Sequence, residues 1–259
     1  MPYQVILFDL DDTLIDFAYS QRMGLKNIYK KFYSAIQYAV FEQSYKEINT
    51  LLWNQVGAKE NTLMPSEVRL LRFVQLNQKL SCSVSAEEVA NEYDSNLCIH
   101  AHWIPNVKTA IEFLHQKGHI LGIITNGFVE VQGKKQRRLQ LNDWFDCYIV
   151  SDDVGVAKPN IEVFNIAVQE ITNRRKHSIE KHSILMVGDS IINDGYGARD
   201  FGIDYCFVNP QALNNVSSEI PIKYTISSVA HLPACIGYEI EYINFLNSYE
   251  CDGVSNHIE

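Results

Sequence analysis

Five short apolar runs, rich in β-branched residues and each giving way to small or polar residues, restrict this chain more than any other feature of its sequence. They are Val5 to Phe8, Ile120 to Ile124, Tyr148 to Val150, Ile184 to Val187 and Tyr205 to Val208. The runs are continuous rather than alternating, so each strand must be covered on both faces, as in a parallel sheet with helices on either side. Helical patterns fill the intervals. Val107, Ala110, Ile111 and Leu114 form an apolar stripe that stops before Gly118, a C-terminal cap, and Pro159 is expected in the first turn of another helix. The fold class is therefore α/β, a doubly wound parallel sheet.

One interval breaks the rhythm. Residues 9 to 119 separate the first strand from the second, far more than one crossover helix needs, and most of them read as helix. Leu25, Ile28, Phe32, Ala35 and Ala39 follow a three-four spacing, while Ser85 with Glu88 resembles a capping box opening a helix over Val89 to Leu97. The expected organisation is a core of residues 1–16 and 101–259 with a helical insertion at 17–100, the chain returning to the core near Pro105. The pattern leaves open whether residues 19 to 55 make one bent helix or two.

The formal net charge of −9, with acidic and basic residues interspersed, excludes the electrostatic footprint of a protein that coats nucleic acid. Cys82, Cys98, Cys147, Cys206, Cys235 and Cys251 are scattered without a CxxC pair, and are expected as reduced thiols of a cytoplasmic protein. The first residues pass straight into a strand without the pattern of a signal peptide, and no window approaches the ~20 apolar residues of a membrane span. His100 and His102 are read as packing or surface histidines rather than metal ligands, since no third ligand is near in sequence.

In open parallel sheets ligands bind beyond the carboxyl ends of the strands, where this sequence places its unusual residues. The stretch VILFDLDDTLIDF sets Asp9, Asp11, Asp12 and Asp16 after the first strand, with no Lys or Arg before Arg22. Crowded carboxylates raise one another's pKa unless a cation or a shared proton relieves them. Asp9 and Asp11, two apart, point to the same side of an extended segment, and oxygen-only ligands favour Mg2+. Thr125 and Asn126 follow the second strand, Lys158 the third, and Asp189 with Asp194 the fourth. Asp12 and Asp16 are read as turn and capping residues. Lys134, Lys135, Arg137 and Arg138 are read as a solvated helix face, and Gly195, Gly197 and Ala198 as positions that let a helix approach the sheet. Tyr45 and Trp53 are read either as core packing or as substrate-facing aromatics.

DxDxT after the first strand, Thr-Asn after the second, Lys-Pro after the third and GDxxxxD after the fourth together resemble the haloacid dehalogenase (HAD) superfamily, from residue 5 to residue 208. The resemblance implies a Rossmann-like core with an inserted α-helical cap and a Mg2+ site. Asp9, Asp189 and the backbone carbonyl of Asp11 would hold the metal, with Asp194 orienting a metal-bound water. It implies that Asp9 attacks phosphorus to form an aspartyl phosphate while Asp11 serves as acid and then as base. Thr125 and the N–H of Asn126 would hold phosphate oxygens, Gly127 would allow a tight turn beside them, and Lys158 would neutralise the transferring group. The plainer readings are a solvated loop lysine for Lys158 and a strand-end hydroxyl for Thr125.

Within the family, Asp16-Phe17, Leu52-Trp53, Gly127, Gly188-Asp189-Ser190 and Asn209-Pro210 resemble the 5′-nucleotidases of pyrimidine and noncanonical nucleoside monophosphates. A phosphatase of sugar phosphates or phosphoglycolate is the alternative. A phosphomutase shares the same motifs, and a haloacid dehalogenase is disfavoured by Asp11. A binding protein on a retired enzyme fold would be expected to have lost Asp9, Asp11, Lys158 or Asp189, and none is missing. The expected partner is a small phosphorylated metabolite, with neither a nucleic-acid polymer nor a membrane involved, and no sequence feature specifies an oligomeric state.

Overall fold

Val5–Phe8 (β1) is buried at every residue, and its alternate side chains enter two different cores. The computed structural model describes residues 3–57, 63–176, 178–211 and 219–253. Its strands continue with Ile120–Thr125 (β2), Cys147–Val150 (β3), Ile184–Gly188 (β4), Asp204–Val208 (β5) and Ile222–Ile226 (β6). The helices are Phe17–Ile28 (α1), Tyr38–Trp53 (α2), Pro65–Leu80 (α3), Ala86–Ile99 (α4), Val107–Gln116 (α5), Val129–Arg138 (α6), Ser151–Val154 (α7), Ile161–Arg175 (α8), Tyr196–Phe201 (α9) and Glu239–Gly253 (α10).

The described residues form one sheet in the order β3-β2-β1-β4-β5-β6, and every neighbouring pair is parallel. Ile6, Phe8, Leu121, Ile123, Leu185 and Val187 face α5 and the segment leading into α10. Val5, Leu7, Ile120, Ile184 and Met186 face α8 and α9. This period-two division explains the continuous apolar runs, since each side chain enters one of two cores and contributes about 1.5–3 kcal/mol by its burial. The doubly wound sheet expected from the sequence is therefore the observed architecture. Among the described residues no helix is long and apolar enough to cross a membrane.

Helices α1 to α4 bury their apolar residues in a third cluster. Leu25, Phe41, Phe73 and Tyr93 lie there, joined by Phe128 and Val131 from the start of α6. Its tyrosine hydroxyls find partners: that of Tyr45 donates to the Tyr93 hydroxyl at 2.7 Å and that of Tyr33 to Asn77 Oδ1 at 2.7 Å. Ser85 caps α4 by accepting from the Glu88 N–H, and Gly118 adopts φ +83 after α5, both as expected. Residues 19 to 55 form two helices with a π-helical turn, Tyr29–Tyr33, after the first. The apolar spacing fails there: Ala35 and Ala39 are exposed, and the break instead buries Tyr33 against Phe41, with ring centroids 4.9 Å apart.

Two further expectations are corrected. Pro159 is outside the first turn of α8, because Asn160 is the cap, accepting from the Glu162 N–H at 3.0 Å, and Pro159 precedes it on a cis peptide bond. Strand β6 was not anticipated; it lies at the sheet edge, its Lys223 and Thr225 are exposed, and its sequence IKYTI lacks a continuous apolar run. Cys82, Cys98, Cys147, Cys206 and Cys235 are free thiols, as expected, while Cys251 lies outside the residues whose side chains are described.

Candidate active site

The chain passes from β1 to β2 and β3 on one side, then returns to β4 on the other side of β1. The carboxyl ends of β1 and β4 thus flank the topological switch point, where the diverging connections leave a crevice. Asp9 follows β1 and keeps its register, its N–H donating to the Val187 carbonyl at 2.9 Å. Asp189 follows β4 and is tied across the crevice by Thr13, whose hydroxyl donates to Asp189 Oδ1 at 3.2 Å and accepts the Asp189 N–H at 3.1 Å. The spacing GDxxxxD has a local cause. Asp194 lies on the π-helical turn Ile191–Gly195, and its Oδ2 accepts the Ser190 N–H at 3.0 Å. Gly188 is required there, since a Cβ would meet Asp194 Oδ2 at 2.1 Å.

Lys158 is 1% exposed, and its ammonium donates to Asp9 Oδ1 at 2.7 Å and to Asp194 Oδ1 at 2.6 Å. The solvated-loop reading of Lys158 is thereby excluded. Burial disfavours its charge, but the Asp194 and Asp9 carboxylates outweigh that and hold its pKa above the ordinary lysine value. Burial pushes Asp9 up to about 7, against the pull of Lys158 and with the repulsion of Asp194. Burial, then repulsion from Asp9 and Asp194, pushes Asp189 up to about 8. Carboxyls raised in this way mark a site short of positive charge. Oxygens of Asp9, Asp189 and Asp194 lie within 4.8 Å of one another, an all-oxygen donor set that fits a hard divalent cation such as Mg2+.

Asp11 lines the same cavity, but its carboxylate is outside that acidic group. It accepts from Lys135 Nζ at 2.6 Å and from Gln132 Nε2 at 3.0 Å. Asp9 and Asp11 thus both face the cavity, as their spacing implies, while Lys135 and Gln132 of α6 hold the Asp11 carboxylate apart from the acidic group. The reading of Lys135 as solvated is corrected: it is 1% exposed, whereas Lys134, Arg137 and Arg138 are exposed as expected. Gln132 also donates to Thr125 Oγ1 at 2.8 Å, so the Thr125 hydroxyl keeps its own proton to donate. Asn126 clamps the Lys158 backbone on both sides, donating to its carbonyl and accepting its N–H, each at 2.9 Å. Gly127 does not take a positive φ; its reason is Gln132, whose Nε2 a Cβ would approach to 2.4 Å.

Asp16 caps α1 by accepting the Tyr19 N–H, and Asp12 accepts the Ala18 N–H, as their turn and capping roles require. Tyr45 is core packing, while Trp53 lines the cavity beside Phe128, ring centroids 6.4 Å apart. Gly197 lets α9 approach α8, since a Cβ would meet the Phe164 ring at 2.6 Å. The cavity, about 410 Å3, runs from the acidic group to Trp53, Phe128 and Arg72. Gln132, Lys135 and Arg72 were missed in the sequence. For Lys135 a signal existed: Val131, Lys135 and Leu139 are four apart, one inward stripe of α6.

Residues 3–202 match the family described as haloacid dehalogenase-like hydrolase. The pyrimidine 5′-nucleotidase YjjG of Escherichia coli K12 is 28% identical over 232 residues, 90% of this chain and 97% of that protein. The glyceraldehyde 3-phosphate phosphatase of Pyrococcus abyssi is 31% identical over 203 residues, 77% of this chain and 79% of that protein. Among solved structures, the HAD-hydrolase YfnB of Bacillus subtilis, bound to magnesium, superposes with a TM-score of 0.77 at 28% identity, covering 92% of this chain and 100% of that one.

Proposed function

The chain belongs to the haloacid dehalogenase-like hydrolases and is a phosphatase of that family, and on that premise we propose that it is a Mg2+-dependent 5′-nucleotidase for pyrimidine nucleoside monophosphates. Asp9, whose carboxylate stands at the crevice with Lys158 beside it, is the nucleophile. One of its oxygens bonds to phosphorus as the bond to the nucleoside 5′-oxygen breaks, leaving an aspartyl phosphate. Asp11 delivers a proton to the departing oxygen. In the second step Asp11 takes a proton from water, the water oxygen bonds to phosphorus, and the Asp9–phosphorus bond breaks to release inorganic phosphate.

Lys158, Thr125 and the N–H of Asn126 are the donors that face the phosphoryl oxygens. Asp9, Asp189, Asp194 and the carbonyl of Asp11 are the groups that would hold or orient Mg2+ and its water. When bound, the ion would neutralise charge on these carboxylates and on the phosphoryl oxygens. Residues 17–100 act as a cap over residues 1–16 and 101–259, and the interdomain movement reported for YfnB supports that role.

The observation that carries the nucleotide reading is the cavity itself: the acidic end opens onto the aromatic wall of Trp53 and Phe128. A nucleobase can lay its face on such a wall, whereas glyceraldehyde 3-phosphate or phosphoglycolate offers none. The test is a panel of UMP, dUMP, ribose 5-phosphate, glyceraldehyde 3-phosphate and phosphoglycolate, with Mg2+ and with EDTA. UMP and dUMP are expected to show the higher kcat/KM, with all activity lost in EDTA and restored by Mg2+. A sugar phosphate ahead by tenfold would overturn the nucleotidase reading, and full activity in EDTA would overturn the metal.

A further inference from the structure

Arg72 is the largest fully buried side chain among the described residues, and its polar surroundings are the Tyr45 hydroxyl and one carboxylate, Asp94. It sits on α3, 2% exposed, and lines the same cavity as Asp9. Its Nη2 donates to Asp94 Oδ1 across a long 3.4 Å, while the other oxygen of Asp94 takes a 2.6 Å bond from Arg69 Nε. Its Nε is buried without a hydrogen-bond partner. The guanidinium lies over three rings, 4.6 Å from the centroid of Tyr93, 5.0 Å from Phe73 and 5.6 Å from Phe128. A buried donor left unpaired costs free energy in the unliganded protein, and that cost is recovered when a ligand atom accepts from it.

The charge around Arg72 narrows what that atom is. Arg69 pairs with Glu87 at 3.0 Å as well as with Asp94, so two arginines face two carboxylates. These two carboxylates already take the ion pairs of both arginines, so the unpaired Nε calls for an acceptor atom rather than for a further charge. Phe128 lies 5.6 Å from the guanidinium and 6.4 Å from the Trp53 ring, and all three line the cavity, so a planar group set beside these rings carries its edge towards Arg72.

We propose that Arg72 reads the leaving group by donating to a carbonyl oxygen of a planar pyrimidine base held against Trp53 and Phe128. The inference rests on the nucleotidase reading above and adds the residue that sets its specificity. A purine monophosphate has a second ring to place in the same space, and a bare sugar phosphate has no base carbonyl to accept from Arg72. Arg72 therefore raises kcat/KM for UMP relative to ribose 5-phosphate.

The experiment measures kcat/KM for UMP and for ribose 5-phosphate in the full chain and in Arg72→Met and Arg72→Lys. Thermal melting confirms that each variant is folded. Arg72→Lys keeps a cation for Asp94, so it serves if Arg72→Met does not fold. The preference for UMP is expected to fall at least tenfold in each folded variant, chiefly through KM for UMP. A preference retained within threefold in both variants removes the role of Arg72 and leaves the nucleotidase reading standing. A wild-type preference for ribose 5-phosphate removes the nucleotidase reading and this inference with it.

Discussion

The side chain most revealing of how the site is built is Lys135, because nothing in its immediate sequence sets it apart from Lys134, Arg137 and Arg138. It is drawn inward by Asp11, 2.6 Å away, and lies over the Phe17 ring at 5.0 Å. With Gln132 it fixes the carboxyl group of Asp11, the proposed acid of the first step. Lys135→Met keeps the length of the side chain and removes that hold. Misplacement of an acid by about 1 Å costs roughly 10²-fold, so kcat on UMP should fall by that order. The loss on p-nitrophenyl phosphate, whose leaving anion needs little protonation, should be smaller. Steady-state kcat on the two substrates decides the matter, and equal losses would argue against a positioning role. Asp9, Asp11, Thr125, Lys158 and Asp189 could be singled out because each falls at or after the carboxyl end of a strand, where a ligand site accounts for a polar cluster. Arg72 and Lys135 were not, because a charge on a helix reads as solvated until its partner across the fold is known.

At the level of elements, strands buried on both faces were readable from their runs alone, and the observed bounds of β1 to β5 differ from the expected ones by a residue or less at either end. Strand β6 and the break between α1 and α2 were not, since both depend on what lies beside them. Edge position removes the apolar signature from β6, and ring packing of Tyr33 on Phe41 overrides the helical spacing. His119 shows how elements are fastened. Between α5 and β2, its Nδ1 lies 2.8 Å from the Tyr3 carbonyl and its Nε2 3.1 Å from the Tyr238 hydroxyl. The carbonyl can only accept, so Nδ1 carries the proton and Nε2 accepts from Tyr238. Burial lowers the His119 pKa, with the bond to Tyr3 opposing. The unfolded chain therefore takes up a proton first. The stabilisation is complete above the unfolded value of about 6.5 and is lost as pH falls from there towards the folded value. Urea midpoints at pH 7.5 and pH 5.5 should fall further in the wild type than in His119→Asn, which keeps a donor for Tyr3. Equal falls would mean that His119 does not titrate in this window.

For the whole molecule, the sheet order could not be read from the sequence, because strand runs announce burial but not neighbours. The observed order sets β2 and β3 on one side of β1 and β4 to β6 on the other. That order opens the crevice in which residues separated by most of the chain, Asp9, Lys158 and Asp189, come together. A protein of net charge −9 thus sets three buried cations, Lys158, Lys135 and Arg72, around one cavity suited to an anionic phosphate ester. The proposal stands or falls on what that crevice does to Asp9. In Asp11→Asn the first step with p-nitrophenyl phosphate needs little acid, while the second has lost its base, so the phosphorylated enzyme should build up. The decisive measurement mixes Asp11→Asn with p-nitrophenyl phosphate and Mg2+, follows nitrophenolate, and takes the mass of the intact chain and of its peptides. The expected result is a burst of at most about one nitrophenolate per chain, then slow turnover, with one added phosphoryl group located on Asp9. No burst and no phosphoryl group on Asp9, with p-nitrophenyl phosphate and UMP slowed alike, would contradict it.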